Sequence, residues 1–101
     1  MADGLNIKLE FSGGSEFLVR SKEDKLTVPK DTTVKDLLKI VLEQLVTDKN
    51  RIDLLFNKTV TEVANGVIVL INDVDFGLLS EYDTILEDSD TITFVSTLHG
   101  G

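Results

Sequence analysis

From Leu5 to Phe11 apolar and polar residues alternate (Leu-Asn-Ile-Lys-Leu-Glu-Phe). This period-two pattern predicts a half-buried strand whose inward set is Leu5, Ile7, Leu9 and Phe11. Ser12-Gly13-Gly14-Ser15 then reads as a turn, its glycines available for positive φ. It does not fit a phosphate-binding loop, because no Lys-Ser/Thr follows and the segment lies between strand-like runs rather than ahead of a helix. Phe17-Leu18-Val19 and Leu26-Thr27-Val28 bracket the charged stretch Lys22-Glu23-Asp24-Lys25. Together they predict one interrupted strand returning beside the first, kinked or bulged between its halves and closed by Pro29.

A helix follows. Thr33 and Asp36 stand at capping-box spacing, and Val34, Leu37, Leu38, Val41 and Leu45 form a continuous apolar stripe widened by Ile40, Leu42 and Val46. The stripe predicts a helix over residues 34–47, packed against a sheet, with Lys49 and Arg51 where the C-terminal end of the dipole favours cations. Leu54-Leu55-Phe56 is too short to classify and either docks into the core or forms a brief strand. Thr59 to Val63 alternates as a strand would, and Asn65-Gly66 is a turn signal.

Val67-Ile68-Val69-Leu70-Ile71 is a run of β-favouring aliphatics. It predicts a central strand buried on both faces, or else one whose outer face serves a partner, and burial is the commoner fate of such residues. Thr91 to Leu98 is the last strand, and the β-rich first and last strands are placed side by side. Strand, strand, helix, strands, a short turn or helix near 75–80 and a final strand make an α+β arrangement, one helix on one face of a mixed sheet. The domain expected is residues 1–98, with 99–101 as a flexible tail.

The 101 residues suffice for one domain, and 42% hydrophobic with 28% charged residues is the composition of a soluble globular chain. No run of about 20 apolar residues and no basic-then-apolar leader is present, so the expectation is a cytoplasmic monomer that meets no membrane. The net charge of −8 argues against direct nucleic-acid binding and suits basic protein partners, or simply solubility. There is no cysteine, hence no disulfide, thiolate metal site or cysteine nucleophile of the chain's own. Acidic residues from Asp73 onward do not follow calcium-loop spacing, since Leu78 and Thr84 stand where glycine and glutamate are required. They are read as turn caps, Asp75 before Phe76-Gly77-Leu78-Leu79 and Asp88-Ser89-Asp90 before the last strand, and no metal is expected.

Candidate chemistry is confined to the end of the sequence, Ser96-Thr97-Leu98-His99-Gly100-Gly101. No catalytic constellation exists: the one histidine, His99, lies in the tail and no cysteine accompanies it, so the chain is not expected to be an enzyme. His99 is either an exposed tail residue or a contact that orients the tail in a partner's channel. Glycines at the end give no side chain to pack and let backbone and carboxylate approach a reactive centre closely. A terminal carboxylate, ionised at neutral pH, can attack the α-phosphate of ATP; the resulting acyl-adenylate is open to sulfur or an amine. Because the tail beyond the last strand reaches only about 10 Å, whatever acts on Gly101 must also touch the sheet nearby. Ile68, Leu70 and Val95 are the predicted docking patch.

Val69-Leu70-Ile71-Asn72-Asp73-Val74-Asp75, Leu86-Glu87-Asp88-Ser89-Asp90 and Ser96 to Gly101 resemble the ubiquitin-related modifiers, eukaryotic sulfur carriers with the ubiquitin-like β-grasp fold. The resemblance is specific over the last third of the chain; residues 47–66 match poorly, and Phe76 stands where the family usually has tryptophan. It implies that Gly101 is the reactive residue, with Leu98, His99 and Gly100 as the tail recognised by an activating enzyme with adenylation and rhodanese-like parts. That enzyme, using ATP and a sulfur donor, would make a C-terminal thiocarboxylate, the chain itself holding no cofactor. The sulfur would pass through a tRNA thiolase complex to the wobble uridine of cytosolic tRNAs. The same activated end would also form isopeptide bonds to lysines of target proteins, particularly under oxidative stress. Against these two roles stands a third reading, a non-covalent β-grasp interaction module in which Gly-Gly is incidental.

Overall fold

The computed structural model describes residues 4–97. Strand β1 (Gly4–Ser12) is followed by a 3-10 turn (Ser15–Leu18), strand β2 (Glu23–Pro29) and helix α1 (Val34–Gln44). After a second 3-10 stretch (Lys49–Leu54) come β3 (Val67–Ile71), the two-residue β4 (Val74–Asp75), 3-10 turns at Phe76–Leu78 and Glu81–Asp83, and β5 (Thr91–Ser96). The sheet order is β2-β1-β5-β3-β4. The first and last strands are adjacent at its centre, as expected, and run parallel with Phe11 opposite Phe94. The other neighbours are antiparallel.

Alternation along each strand builds the core. Ile7, Leu9, Phe11, Leu26, Val28, Val69, Ile71, Ile92 and Phe94 are buried in one cluster with Val34, Leu37, Leu38, Val41 and Leu45 from α1 and its C-cap. Phe11 and Phe94 stack with ring centroids 5.4 Å apart. The capping box forms as its spacing predicts: Thr33 Oγ1 accepts the Asp36 N–H, and Asp36 Oδ2 accepts the Thr33 N–H, both at 3.2 Å. These bonds satisfy backbone donors that the first helical turn leaves unpaired. Leu55 and Phe56 dock fully into the core rather than forming a strand.

Four local expectations are corrected. The helix ends at Gln44, not Thr47. The residues beyond its C-cap Leu45 turn away to pair with the segment after the first 3-10 turn, Val46 bridging Val19 and the Thr47 N–H reaching the Leu18 carbonyl at 2.8 Å. That same pairing removes Phe17-Leu18-Val19 from the predicted second strand, so β2 comprises only Glu23–Pro29. Thr59–Val63 is not a strand: the Asn57 side chain accepts the Thr61 and Glu62 N–H groups at 3.0 and 3.2 Å, folding the segment into a compact turn. Val60 there takes a left-handed φ of 54° with its side chain buried. The fourth correction concerns β3, which is buried on one face only, Val67, Val69 and Ile71 inward and Ile68 and Leu70 outward. The main helix packs its buried residues into the core on one side of the sheet.

Asp75 and Asp90 cap turns as anticipated, whereas Asp88 ties its turn to β1. Asp75 Oδ1 accepts the Gly77 N–H at 2.7 Å, and Asp88 Oδ1 accepts the Asn6 N–H at 2.8 Å. Asp90, buried, accepts from Asn72 Nδ2 and the Glu87 N–H, both at 2.8 Å. Phe76 packs edge-on to Tyr82, centroids 5.0 Å apart. The Tyr82 hydroxyl accepts the Val63 N–H at 3.0 Å, and burial pushes its pKa up. Among the described residues no helix is long and apolar enough to cross a membrane.

Candidate functional site

The residues expected to carry the chemistry, Leu98, His99, Gly100 and Gly101, lie outside the described residues, as does the predicted boundary between domain and tail. What the structure places is the platform from which they depart. β5 ends at Ser96, short of the Leu98 expected from sequence, and the next residue, Thr97, is tied to the turn before β3. The Thr97 N–H donates to the Gly66 carbonyl at 2.7 Å, and the Thr97 hydroxyl donates to the same oxygen. Gly66 can offer it because the Asn65-Gly66 turn takes a φ of 88° at the glycine before β3 begins.

On the β1 side the fit is steric. Gly13 has a φ of 72°, and a Cβ there would lie 2.0 Å from the Ser96 carbonyl oxygen. Ser15, also buried, places its hydroxyl 2.9 Å from the Ser12 carbonyl and 3.2 Å from the Phe94 carbonyl. Gly13-Gly14 is thus a turn, as read, with the added task of letting the end of β5 pass against it. Neither Gly13, Ser15 nor Gly66 was singled out as part of the site from sequence. The turn signals were visible, but their meeting with β5 depends on pairings separated by about 30 and 80 positions.

Beside this exit the three residues of the predicted patch come together. Ile68 is the cross-strand partner of Val95, and Leu70 is one pair further along, opposite Thr93. Ile68 is 40% exposed, and Leu70 and Val95 are half-buried on the same outer face. On the β1–β2 half that face is polar: Lys8 pairs with Glu10 at 3.4 Å and Glu23 at 3.9 Å, and the Thr93 hydroxyl donates to Glu10 at 3.2 Å. The apolar area is therefore confined to the strands that lead into the tail. Phe17, read from sequence as part of a strand, is 80% exposed on the turn that Ser15 ties to β5. Among the described residues no group of three or more His, Cys, Asp or Glu is placed to hold a metal.

A five-stranded mixed sheet with parallel central strands β1 and β5, one main helix on one face and the chain leaving from the middle strand defines the β-grasp fold of ubiquitin-like modifiers. The family model of the ubiquitin related modifier, Urm1, matches residues 6–101. The Caenorhabditis elegans ubiquitin-related modifier 1 homolog is 59% identical over 95 residues, covering 94% of this chain and 95% of its own length. Human ubiquitin-related modifier 1 is 38% identical, with both chains fully covered. The solution structure of Urm1 from Trypanosoma brucei superimposes with a TM-score of 0.79 at 33% identity, again covering both chains in full. The chain belongs to the ubiquitin-related modifier family, and is a ubiquitin-like modifier.

Proposed function

We propose that this modifier is a sulfur carrier that works through the carboxylate of Gly101. The observation that carries the reading is the platform itself: a Gly-Gly end follows, within a few residues, a strand fixed by Gly66 and Gly13 beside an exposed apolar patch. The chain supplies recognition and delivery. An adenylating, rhodanese-like activating enzyme docks on Ile68, Leu70 and Val95 and threads Leu98, His99 and Gly100 so that Gly101 meets ATP. The carboxylate oxygen attacks the α-phosphorus and pyrophosphate leaves. The terminal sulfur of a persulfide on the enzyme's rhodanese-like part then displaces AMP, giving an acyl disulfide, and an enzyme thiol that attacks the adjacent sulfur forms a disulfide and releases the thiocarboxylate.

Since the chain has no cysteine, the sulfur is carried on that carboxyl end. A tRNA thiolase complex takes it for 2-thiolation of wobble uridine in cytosolic tRNAs. The acidic surface leaves tRNA binding to the thiolase. The same activated end acylates lysines of target proteins, giving isopeptide bonds. In this reading the chain is a cytoplasmic monomer, performs no catalysis and holds no cofactor of its own.

Intact mass of the full chain after incubation with activating enzyme, ATP and a sulfur donor tests this. The expected result is a gain equal to replacing one oxygen by sulfur, absent when Gly101 is deleted. Adenylate without sulfur gain overturns the carrier reading in favour of a modifier that only conjugates. No activation at all, by an enzyme shown to activate another carrier, leaves the non-covalent module.

A further inference from the structure

The charge of this chain is unevenly placed. All ten lysines and arginines occur at or before Lys58, together with ten of the eighteen acids, so that part is neutral. The remaining eight acids face no cation in sequence, and the whole net charge of −8 belongs to residues 59–101. Within that part, the segment from β4 to the start of β5 exposes Val74, Leu78, Leu79 and Ile85, four of the six large apolar side chains exposed among the described residues.

Three of the four converge. Val74, Leu79 and Ile85 line one surface groove of about 300 Å³, whose floor includes Ile71 and whose rim includes Glu87 and Asp90. Leu79 is 45% and Ile85 56% exposed, more open than the outer-face patch at Ile68. Asp90 is internally satisfied, both oxygens accepting hydrogen bonds, whereas Glu87 is exposed. Among the described residues no carboxylate from Asp73 to Asp90 pairs with a lysine or arginine. Ile71 at the end of β3 pairs with Ile92 at the start of β5, and the turn at Asn72 and Asp73 leads from there into β4, so the groove and the tail exit belong to opposite ends of β5.

Exposed aliphatic side chains in a groove whose charged lining residues, among those described, are the carboxylates Glu87 and Asp90 select for one kind of occupant. We propose that this groove is a docking site for a basic segment of a partner protein, which inserts one or two aliphatic side chains between Val74, Leu79 and Ile85 and sets lysine or arginine against Glu87. Nucleic acid and anionic lipid are repelled by the same charge. Because the groove lies away from the tail exit, this partner is held while the activating enzyme has access to Gly101.

The test uses the isotope-labelled full chain and a synthetic peptide with two leucines one helical turn apart flanked by lysines. A control peptide carries glutamates in place of the lysines. The expected result is perturbation of the Val74, Leu79 and Ile85 amide signals. Binding should be lost in Leu79→Ser, weakened roughly tenfold in Glu87→Lys or in several-fold higher salt, and unchanged in Ile68→Asp. Equal binding of the glutamate peptide, perturbation centred on Ile68 and Val95, or no perturbation at all would overturn it. So would concentration-dependent self-association of the peptide-free chain abolished by Leu79→Ser, which would make the groove a contact between copies. The Ile68→Asp variant separates this site from the activation surface, since only activation should suffer there.

Discussion

The backbone N–H of Thr97, one residue past the end of β5, donates to the carbonyl of Gly66 at 2.7 Å, and the Thr97 hydroxyl converges on the same oxygen. This is the last described fixed point before the four residues proposed to carry the chemistry. Its proposed role is to aim the tail, so its loss should cost more in activation than in folding. Thr97→Pro removes the donor and the hydroxyl together and is expected to lower stability by about 1 kcal/mol, the net worth of such a bond. Adenylation of Gly101, followed by pyrophosphate release, should slow several-fold. Thr97→Val keeps the backbone bond and should fall between. Hydrogen exchange at position 97 reports the loosening in Thr97→Val, and adenylation rates equal to the parent's in both variants would show that the tail needs no fixed base.

Gly13 makes the opposite kind of demand, for space. A Cβ at this position meets the Ser96 carbonyl oxygen at 2.0 Å, on a backbone whose φ of 72° already disfavours side chains. Gly13→Ala is expected to destabilise the fold by about 2 kcal/mol or more, from left-handed strain and forced displacement of the end of β5. Gly14, with open space around its missing Cβ, should tolerate alanine with only its conformational penalty. Urea unfolding midpoints of the two variants check the ranking.

The cross-strand pair Ile68 and Val95 forms the apolar surface nearest the tail. Ile68→Asp places a charge where the side chain is 40% exposed, so the loss of β-sheet stability should stay within about 1 kcal/mol. Activation should fall by roughly tenfold or more through KM, as expected for a lost docking contact. Unchanged activation kinetics in a folded Ile68→Asp variant would remove this face from the proposal.

These consequences rest on elements that differ in how far sequence revealed them. The capping box at Thr33 and Asp36, the stripe on α1 and the alternation of β1 were legible because the information is local: a few neighbouring residues fix both hydrogen bonds and facing. Segment 17–19 was not, because Val19 pairs with Val46 and the Thr47 N–H with the Leu18 carbonyl, partners that no local pattern announces. Thr59–Val63 alternates convincingly, yet one side chain, Asn57, captures two of its N–H groups and turns it. β3 reads as buried on both faces because Ile and Leu give the same signal whether they meet a core or a partner. For the site, sequence identified the patch residues, while Gly13 and Gly66 were legible only as turns. Their contacts with Ser96 and Thr97 arise from the sheet order.

Asp24 supplies a pH-dependent prediction. Its carboxylate accepts Arg20 Nε at 2.6 Å and Nη2 at 3.0 Å, and the Lys25 N–H at 2.9 Å. The Arg20 hydrogen bonds hold its pKa below the ordinary carboxylate value, against the opposing effect of burial. A depressed folded-state pKa means that the unfolded chain binds the proton more readily. The contribution to stability is therefore present above about pH 4 and is lost as pH falls through the folded value. Asp24→Asn should be less stable than the parent at neutral pH, with the difference closing below about pH 4. Arg20 is half-exposed, so added salt should narrow the gap at neutral pH as well. Urea midpoints of the two proteins, measured from neutral to acid pH, should converge. Parallel curves would show that Asp24 acts through its shape and backbone bond rather than its charge.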